Sequence, residues 1–595
     1  MRRPRLSAAL ACLLTGSALV APAVSGPAGA EEPAYTMTTL HFAVTVGPDD
    51  ATRCDVVGDL YLPADASRGR PVPAVLTSNG FGGSKDDQAG LGRAFAERGY
   101  AVLSYSGLGF GGSSCRITLD HPDWDGKAGS QLVSYLGGAD GIAFHDAAHT
   151  RPAPVLDVVR GDRRGDPRVG MVGGSYGGGN QFATASVDPR VDALVPLITW
   201  NDLSYSLGPN GTSQVNGVST ATPGATKVLW GAGFSALGLT GDLQNGQAPG
   251  EPLPCPNFAD FVCPALATAG TTGYFLPAHV DRLRQASVAS YVERIKAPTL
   301  LVQGEDDTLF NLNEAVATYR ALEAQGTETK MVWSRFGHSG PAAPGELDIS
   351  APDPATQYVT ARIAAWFERH LQGRPVDTGP EFSYFRPWVE YDGIATPAYG
   401  TASAYPVGTE RTYRLSGAGA LTTGTAVPGL QLFTTPGAGL PTALDEADVV
   451  GSFAGDPVEA ITDLPGTFAS WQTPVLSEPL DVAGAPRLRL TVSAPTAALT
   501  QAIGPAGKLV LFAKVADVAP DGTARLVHGL EVPVRVPDVT RPFDVELPAI
   551  VHRFAAGHRL RLVVAGGSPN FRGGLEPTPV VVRSGSSQAL TLPVL

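Results

Sequence analysis

The apolar residues of this chain keep two rhythms, and the change between them near residue 380 limits the fold more than any other feature. Before it they form short unbroken runs: PAVLTS (Pro73 to Ser78), YAVLSY (Tyr100 to Tyr105), RVGMVG (Arg168 to Gly173), ALVPLIT (Ala193 to Thr199), TLLVQ (Thr299 to Gln303) and KMVWS (Lys330 to Ser334). Longer stretches of mixed or helical pattern separate them. Unbroken runs mark strands buried on both faces, as in a mostly parallel sheet covered by helices. After the change, PRLRLTVSAP, KLVLFAKVADV, RPFDVELP and HRLRLVVAGG alternate with period two between Gly and Pro turns. That is the pattern of half-buried strands in a sandwich or jelly roll. The expected organisation is an α/β domain over 31–375 and an all-β domain over 380–595, and a chain of 595 residues is too long for one core. The stretch 201–290 is too long for a plain loop inside an α/β core and is expected to form a cap. There is no internal repeat.

The first thirty residues read as a cleavable export signal. Arg2 and Arg3 precede an apolar stretch that ends in Ala28-Gly29-Ala30, a small-x-small cleavage pattern. Arg2-Arg3 with Leu6 also fits a weak twin-arginine signal, so the expectation is export by one route or the other. No later apolar run approaches the length of a membrane span. Four cysteines remain beyond the signal, an even number that suits an oxidising compartment. Cys255 and Cys263 bracket a short loop and are the expected pair, with Cys54 and Cys115 as the second, although sequence permits three connectivities. A zinc site is the competing reading, but no CxxC or nearby His supports it, and neither metal nor cofactor is expected. The net charge of −13 argues against nucleic acid as a partner. The expected partner is a small-molecule ester or peptide substrate.

Gly173-Gly174-Ser175-Tyr176-Gly177 satisfies G-x-S-x-G directly after the run RVGMVG and before a stretch that can turn helical past the glycines. This is the strand-to-helix context of a nucleophile elbow, in which a sharp turn exposes the serine and small neighbours two positions away relieve crowding. The helix start behind Ser175 directs N–H groups toward an oxyanion, so the Tyr176 amide is the first expected donor. The second is the amide of Gly80 or Phe81, in the loop Asn79-Gly80-Phe81-Gly82-Gly83 after PAVLTS. A serine hydroxyl needs a base, and the base an orienting carboxylate, which in this fold follow in the order Ser, acid, His. APTLLVQGEDDTLFN supplies Asp307 and KMVWSRFGHSG supplies His338. Of the ten histidines only His338 sits after a strand at the required place in this order; His145 and His149 precede Ser175, and His528, His552 and His558 lie in the β half.

DPRVGMVGGSYGGGNQ, GYAVLSYSGLGFGGSSC and VDALVPLITWNDLSYS, with LSEPLDVAGAPRLRLTVSAP, LVLFAKVADVAPDGTARLVHG and FAAGHRLRLVVAGG in the second half, resemble the CocE/NonD acyl-esterase and Xaa-Pro dipeptidyl-peptidase group. These are peptidase S15-like α/β-hydrolases with a C-terminal jelly roll of galactose-binding type. The resemblance covers most of the chain and implies a triad of Ser175, Asp307 and His338. Two departures stand out. Asn79 to Gly83 contains no tyrosine to act as the hydroxyl donor of the cocaine-esterase branch, and the large N-terminal helical domain of lactococcal-type Xaa-Pro peptidases is missing.

Substrate choice is expected to lie with the cap. Trp200, Asn201 and Asp202 leave a strand at the catalytic edge and are candidate pocket residues. Asp202 either holds a substrate amine, as a dipeptidyl peptidase requires, or caps the helix that follows. FSALGLTGDL and GYFLPAHV supply apolar side chains for an acyl pocket or for packing the cap. The expected activity is acyl-ester or amide hydrolysis through an acyl-enzyme. The alternatives are an Xaa-Pro exopeptidase and a non-catalytic carbohydrate-binding protein.

Overall fold

A computed structural model describes residues 34–234, 257–443 and 463–595. The first half is built on an eleven-stranded sheet. Its strands are β1 (Tyr35–Val46), β2 (Thr52–Pro63), β3 (Ala74–Ser78), β4 (Ala101–Tyr105), β5 (Val169–Gly174), β6 (Val191–Leu197), β7 (Thr299–Gly304), β8 (Thr329–Ser334), β9 (Phe382–Phe385) and β10 (Tyr399–Ala402). Across the sheet the order is β10-β9-β8-β7-β6-β5-β3-β4-β2-β1, closed by the two-residue strand Ala143–Phe144. Pairing is parallel from β4 through β3 and β5 to β9, and antiparallel at both margins.

The unbroken apolar runs are explained by helices on both faces. Val75, Val102 and Val172 pack toward Leu91 and Phe95 of helix Ala89–Glu97 and Ile363, Trp366 and Phe367 of helix Tyr358–His370. Their neighbours Leu76, Leu103 and Met171 face the opposite way, toward Leu132, Phe182 and Val316 of helices Lys127–Leu136, Tyr176–Val187 and Leu312–Ala324. β3, β4, β7 and β8 are thus buried at every position because both of their faces are covered.

Two features differ from the expectation. β1 and β2 form a long antiparallel ribbon whose inward residues Leu40, Phe42, Val44 and Val46 alternate with more exposed ones. The hydrolase sheet also continues past residue 375. The fully buried FSYF of β9 adds in parallel beside β8, and β10 follows. The sandwich proper begins with strand Thr409–Ser416.

The second half stacks an eleven-stranded sheet on a three-stranded one formed by Gly429–Thr435, Thr578–Ser584 and Val492–Ser493. Its core gathers Trp471, Leu562, Val564, Val580, Val582 and Leu590. The indole N–H of Trp471 donates to Ser584 Oγ at 2.9 Å, so this buried ring leaves no polar atom unsatisfied.

Between β6 and β7 the chain builds the cap, including helices Leu203–Leu207, Val262–Thr272 and Pro277–Gln285. The sandwich is its floor. Arg535 of the sandwich is 2% exposed and donates to the carbonyls of Pro223, Gly224 and Gly273 in the cap and of Pro505, with its guanidinium 5.0 Å from the centre of the Tyr274 ring. Asn313 of the hydrolase half exchanges side-chain hydrogen bonds with Leu547 O and Ala549 N across the same interface. The sulfurs of Cys54 and Cys115 are 1.99 Å apart, closing a loop beside the cap. Cys255, and with it the proposed Cys255–Cys263 pairing, lies outside the described residues. No helix among the described residues is long and apolar enough to cross a membrane.

Candidate active site

Ser175 sits at the junction of β5 and helix Tyr176–Val187 with φ 54° and ψ −118°, a backbone conformation costly for any residue with a Cβ. Its amide donates to Leu197 O of the neighbouring strand, and its carbonyl accepts from the amides of Gly178 and Gly179. The helix begins at Tyr176 and so contains the glycines, where the sequence suggested a start beyond them. The reason is space. A Cβ on Gly177 would stand 2.4 Å from Ser78 O at the end of β3, and one on Gly173 would stand 3.0 Å from Gly177 O. The small residues let the helix start press against the sheet edge.

Asp307 follows β7 and is fully buried. Its Oδ1 accepts the amides of Leu309 (3.0 Å) and Phe310 (2.7 Å), which fixes the carboxylate plane. The buried ammonium of Lys227, in the cap, donates to the carbonyls of Thr308 (2.7 Å) and Leu309 (2.8 Å) and holds this loop from above. The remaining oxygen, Oδ2, is 2.7 Å from His338 Nδ1, and His338 Nε2 is 2.8 Å from Ser175 Oγ. With Nδ1 donating to the carboxylate, Nε2 is left as the acceptor for the serine hydroxyl. Edge-on contacts from Phe310 and Trp230 fix the imidazole plane. Three residues from three separate strand ends therefore meet in one hydrogen-bonded line.

The amides of Gly80 and Phe81 donate to no acceptor among the described residues. Gly80 lies against the serine: a Cβ built on it would be 4.0 Å from Ser175 Cβ. Asn79 holds this loop, its amide donating to Gly80 O and its carbonyl accepting from Gly107 N. The Tyr176 hydroxyl points away and accepts from Asp120 N at 3.1 Å, so it is the Tyr176 amide at the helix start, not the phenol, that faces Ser175's surroundings. Phe81 supplies a ring without a hydroxyl, packed against Phe110, Phe234 and Tyr176.

Beside Ser175 opens a narrow cavity of about 70 Å³ walled by Phe81, Trp200, Phe234, Phe258, Phe275 and Phe310, with aliphatic side chains between them. Among its described lining residues none carries a charge. Trp200 is part of this wall, its indole N–H donating to Ala286 O. Asn201 and Asp202 are not, which corrects the pocket expectation for both and leaves Asp202 with its capping alternative. Their amides are drawn inward by Glu314 Oε2 of helix Leu312–Ala324, and the Asn201 side chain donates to Thr318 Oγ1. Asp202 is fully buried as the N-cap of helix Leu203–Leu207: Oδ1 accepts from Ser204 N and Oγ, and Oδ2 from Ser219 Oγ and Arg284 Nε. No oxygen is left for a substrate amine. Phe234 and Phe275, from the two apolar cap segments, do line the cavity, while residues 235–243 lie outside the described residues. Among the described residues no group of three or more His, Cys, Asp or Glu side chains is arranged to hold a metal ion.

A residue that sequence reasoning passed over stands close by. His528 of the sandwich bonds to Asp306, the neighbour of Asp307. Its only signal was a His-Gly step in the middle of an alternating strand.

Residues 52–340 match the family profile of the X-Pro dipeptidyl-peptidase (S15 family), and residues 372–590 match that of the X-Pro dipeptidyl-peptidase C-terminal non-catalytic domain. Among solved structures, an α-amino acid ester hydrolase superposes over 96% of this chain and 99% of its own, with TM-score 0.64 at 16% identity. A CocE/NonD family hydrolase from Staphylococcus aureus superposes over 95% and 97%, with TM-score 0.59 at 13% identity. At such identities these likenesses establish the fold. Curated relatives match a shorter segment. A bis(hydroxyethyl) terephthalate hydrolase from Streptomyces coelicolor is 29% identical over 144 residues, 24% of this chain and 38% of that protein. Cutinase 2 from Thermobifida cellulosilytica is 26% identical over 144 residues, 24% of this chain and 45% of that protein. The chain thus spans less than half the length of these relatives. With both profiles matched in order over most of its length and the whole fold shared, the chain belongs to the S15 X-Pro dipeptidyl-peptidase family of α/β-hydrolases.

Proposed function

We propose that the protein is an exported carboxylester hydrolase that transfers a compact apolar acyl group first to Ser175 and then to water. His338 takes the Ser175 proton as the hydroxyl attacks the ester carbonyl, and Asp307 orients and stabilises the imidazolium. The amides of Tyr176 and of Gly80 or Phe81 receive the developing oxyanion. His338 then protonates the leaving alcohol, and the same imidazole activates the water that releases the acid. Nothing in this sequence calls on a metal or cofactor.

The observation that carries the ester reading over the X-Pro exopeptidase reading is that the described residues lining the cavity beside Ser175 are all uncharged. An exopeptidase that counts two residues from a free amino terminus must hold an ammonium, and an ammonium in an apolar pocket without a carboxylate is strongly disfavoured. Asp202, the candidate for that task, has both oxygens engaged within the protein. The name of one relative, bis(hydroxyethyl) terephthalate hydrolase, also denotes an ester substrate. The test compares p-nitrophenyl acetate and butyrate with Ala-Pro and Gly-Pro p-nitroanilides on the mature chain, with Ser175→Ala as control. Ester turnover that falls by about 10⁴-fold or more in the control is expected. Cleavage of the X-Pro anilides with a higher kcat/KM than the esters would overturn the choice. Export is tested by finding the processed chain outside the producing cell.

A further inference from the structure

A strained residue of the sandwich reaches the loops that carry Asp307 and His338. Strands Val510–Val518 and Ala524–Arg535 pair in antiparallel register, but the register breaks where Lys514 faces Glu531 and Ala516 faces Leu526. The bulge contains two successive left-handed residues, His528 at φ 54° and Gly529 at φ 65°. Such a conformation costs a non-glycine residue, and bulges beside active sites characteristically re-aim a side chain. Here the side chain is re-aimed across the domain interface. His528 Nδ1 is 2.6 Å from Asp306 Oδ1, and Nε2 is 2.9 Å from Val551 O. Both partners are acceptors, so both bonds form together only when both ring nitrogens carry protons.

Asp306 stands at the seam of the two loops. Its carbonyl accepts the amide of Ser339, the residue after His338, at 3.0 Å. A Cβ on Gly340 would lie 2.7 Å from Asp306 Cβ, so that loop packs directly on the aspartate. Thr308 and Ser339 hydroxyls, 2.6 Å apart, add a second stitch. Arg335 Nε approaches the other Asp306 oxygen at 3.4 Å, and Glu305 adjoins in the chain. From the sandwich side the His552 ring faces His528 at 6.2 Å, and His552 and His558 both bond to Asp517. Burial alone would push His528 down and Asp306 up. The bond and charge between them outweigh burial, holding His528 above the ordinary histidine value and Asp306 below the ordinary carboxylate value, whereas burial pushes His552 down.

We propose that His528 is a positioning residue: doubly protonated, it clamps Asp306 from the sandwich and through it keeps the His338 loop in register with Ser175. This rests on the reading of Ser175 and His338 given above. The clamp is complete below the ordinary histidine value and loosens as pH rises through the higher value His528 has in the folded protein, because the neutral ring can serve only one of its two acceptors. Turnover therefore acquires an alkaline decline that depends on a residue far from the substrate.

The experiment uses the mature full-length chain and its H528A, H528Q and D306N variants. Two readouts are taken from pH 5.5 to 9.5: kcat and KM for p-nitrophenyl butyrate, and the rate at which a fluorophosphonate labels Ser175. H528A and D306N are expected to lower kcat and the labelling rate by about tenfold or more with KM within about twofold. H528Q, whose single NH2 group keeps the bond to Asp306 without titrating but cannot also replace the bond to Val551 O, is expected to restore part of the rate near pH 7 and to lack the alkaline decline. Wild-type rates and an unchanged pH profile in H528A and D306N would overturn the proposal. If H528A fails to fold, H528Q decides alone, and an alkaline decline identical to that of wild type refutes the clamp. A wild-type chain that is neither labelled nor active removes the Ser175–His338 reading itself and the clamp with it, whereas a labelled wild type with equally labelled variants removes only the clamp.

Discussion

Replacing Gly177 by alanine separates two contributions of the elbow that are otherwise hard to part. The added Cβ would lie 2.4 Å from Ser78 O and 3.2 Å from Asn79 O, both main-chain atoms at the end of β3. Neither can swing aside, so the helix start and the strand end must move apart until that contact reaches about 3.0 Å or more, a shift of about 0.6 Å. The loop Asn79-Gly80-Phe81 hangs from the same strand end, and Tyr176 sits on the helix, so the shift opens the gap between the two amides meant for the oxyanion. A hydrogen bond of ordinary length stretched by that amount is lost, and loss of one such donor costs about 3 kcal/mol, or 10²- to 10³-fold in kcat. Overpacking removes about 1–3 kcal/mol of stability, partly offset by about 1 kcal/mol of helix propensity. Steady-state kinetics with p-nitrophenyl butyrate should show kcat down by about 10²-fold with KM little changed, alongside a lower urea midpoint. Gly174→Ala is the control. Its Cβ would meet nothing closer than Ile198 Cγ1 at 3.8 Å and needs no left-handed backbone, so kcat should stay within about threefold of wild type. A Gly177→Ala enzyme with wild-type kcat, or a Gly174→Ala enzyme equally impaired, would refute the reasoning.

Two further outcomes are expected. Burial pushes the Glu314 carboxyl up to about 7, so the folded chain retains a proton that the unfolded chain has released, and this group's contribution to stability falls as pH rises from the ordinary carboxylate range toward 7. Glu314→Gln, an isostere of the protonated form, should remove roughly 2 kcal/mol of the stability difference between pH 5.5 and pH 8 in urea titrations, and an unaltered pH dependence would show that the group is not responsible. Ala265, 2% exposed on the cavity wall, should when changed to leucine lower kcat/KM for butyryl esters at least about tenfold more than for acetyl esters; an unchanged ratio would place the acyl group elsewhere.

How much of this was legible in the sequence depended on how local each cause is. Ser175, Asp307 and His338 could be placed because each lies just past a recognisable strand, and the order of those strands in space follows from the parallel fold. Trp200, Asn201 and Asp202 show the limit of that logic. All three leave the same strand end, but Glu314, more than a hundred residues on, draws the amides of the last two inward and leaves only Trp200 on the cavity. The end of the hydrolase sheet was hidden for a related reason. FSYF reads as a short apolar run in either half, and only its pairing with β8 assigns it to the hydrolase sheet. His528 was set aside because it lies in the β half. Its contact with Asp306 spans 222 positions and depends on a bulge, for which a single His-Gly step is faint notice.

The Arg535 guanidinium, seated among cap carbonyls and stacked on Tyr274, bears on how such proteins can be cut and recombined. A truncation that kept only the hydrolase sheet would strip the peg from beneath the cap and leave those carbonyls to water. A sandwich borrowed from another chain would serve only if it presented an arginine at the same height. With Ala483, Ala549 and Val551 of the sandwich also packed into the hydrolase core, the halves travel as one heritable part, and attempts to shuffle them should be designed around their shared face.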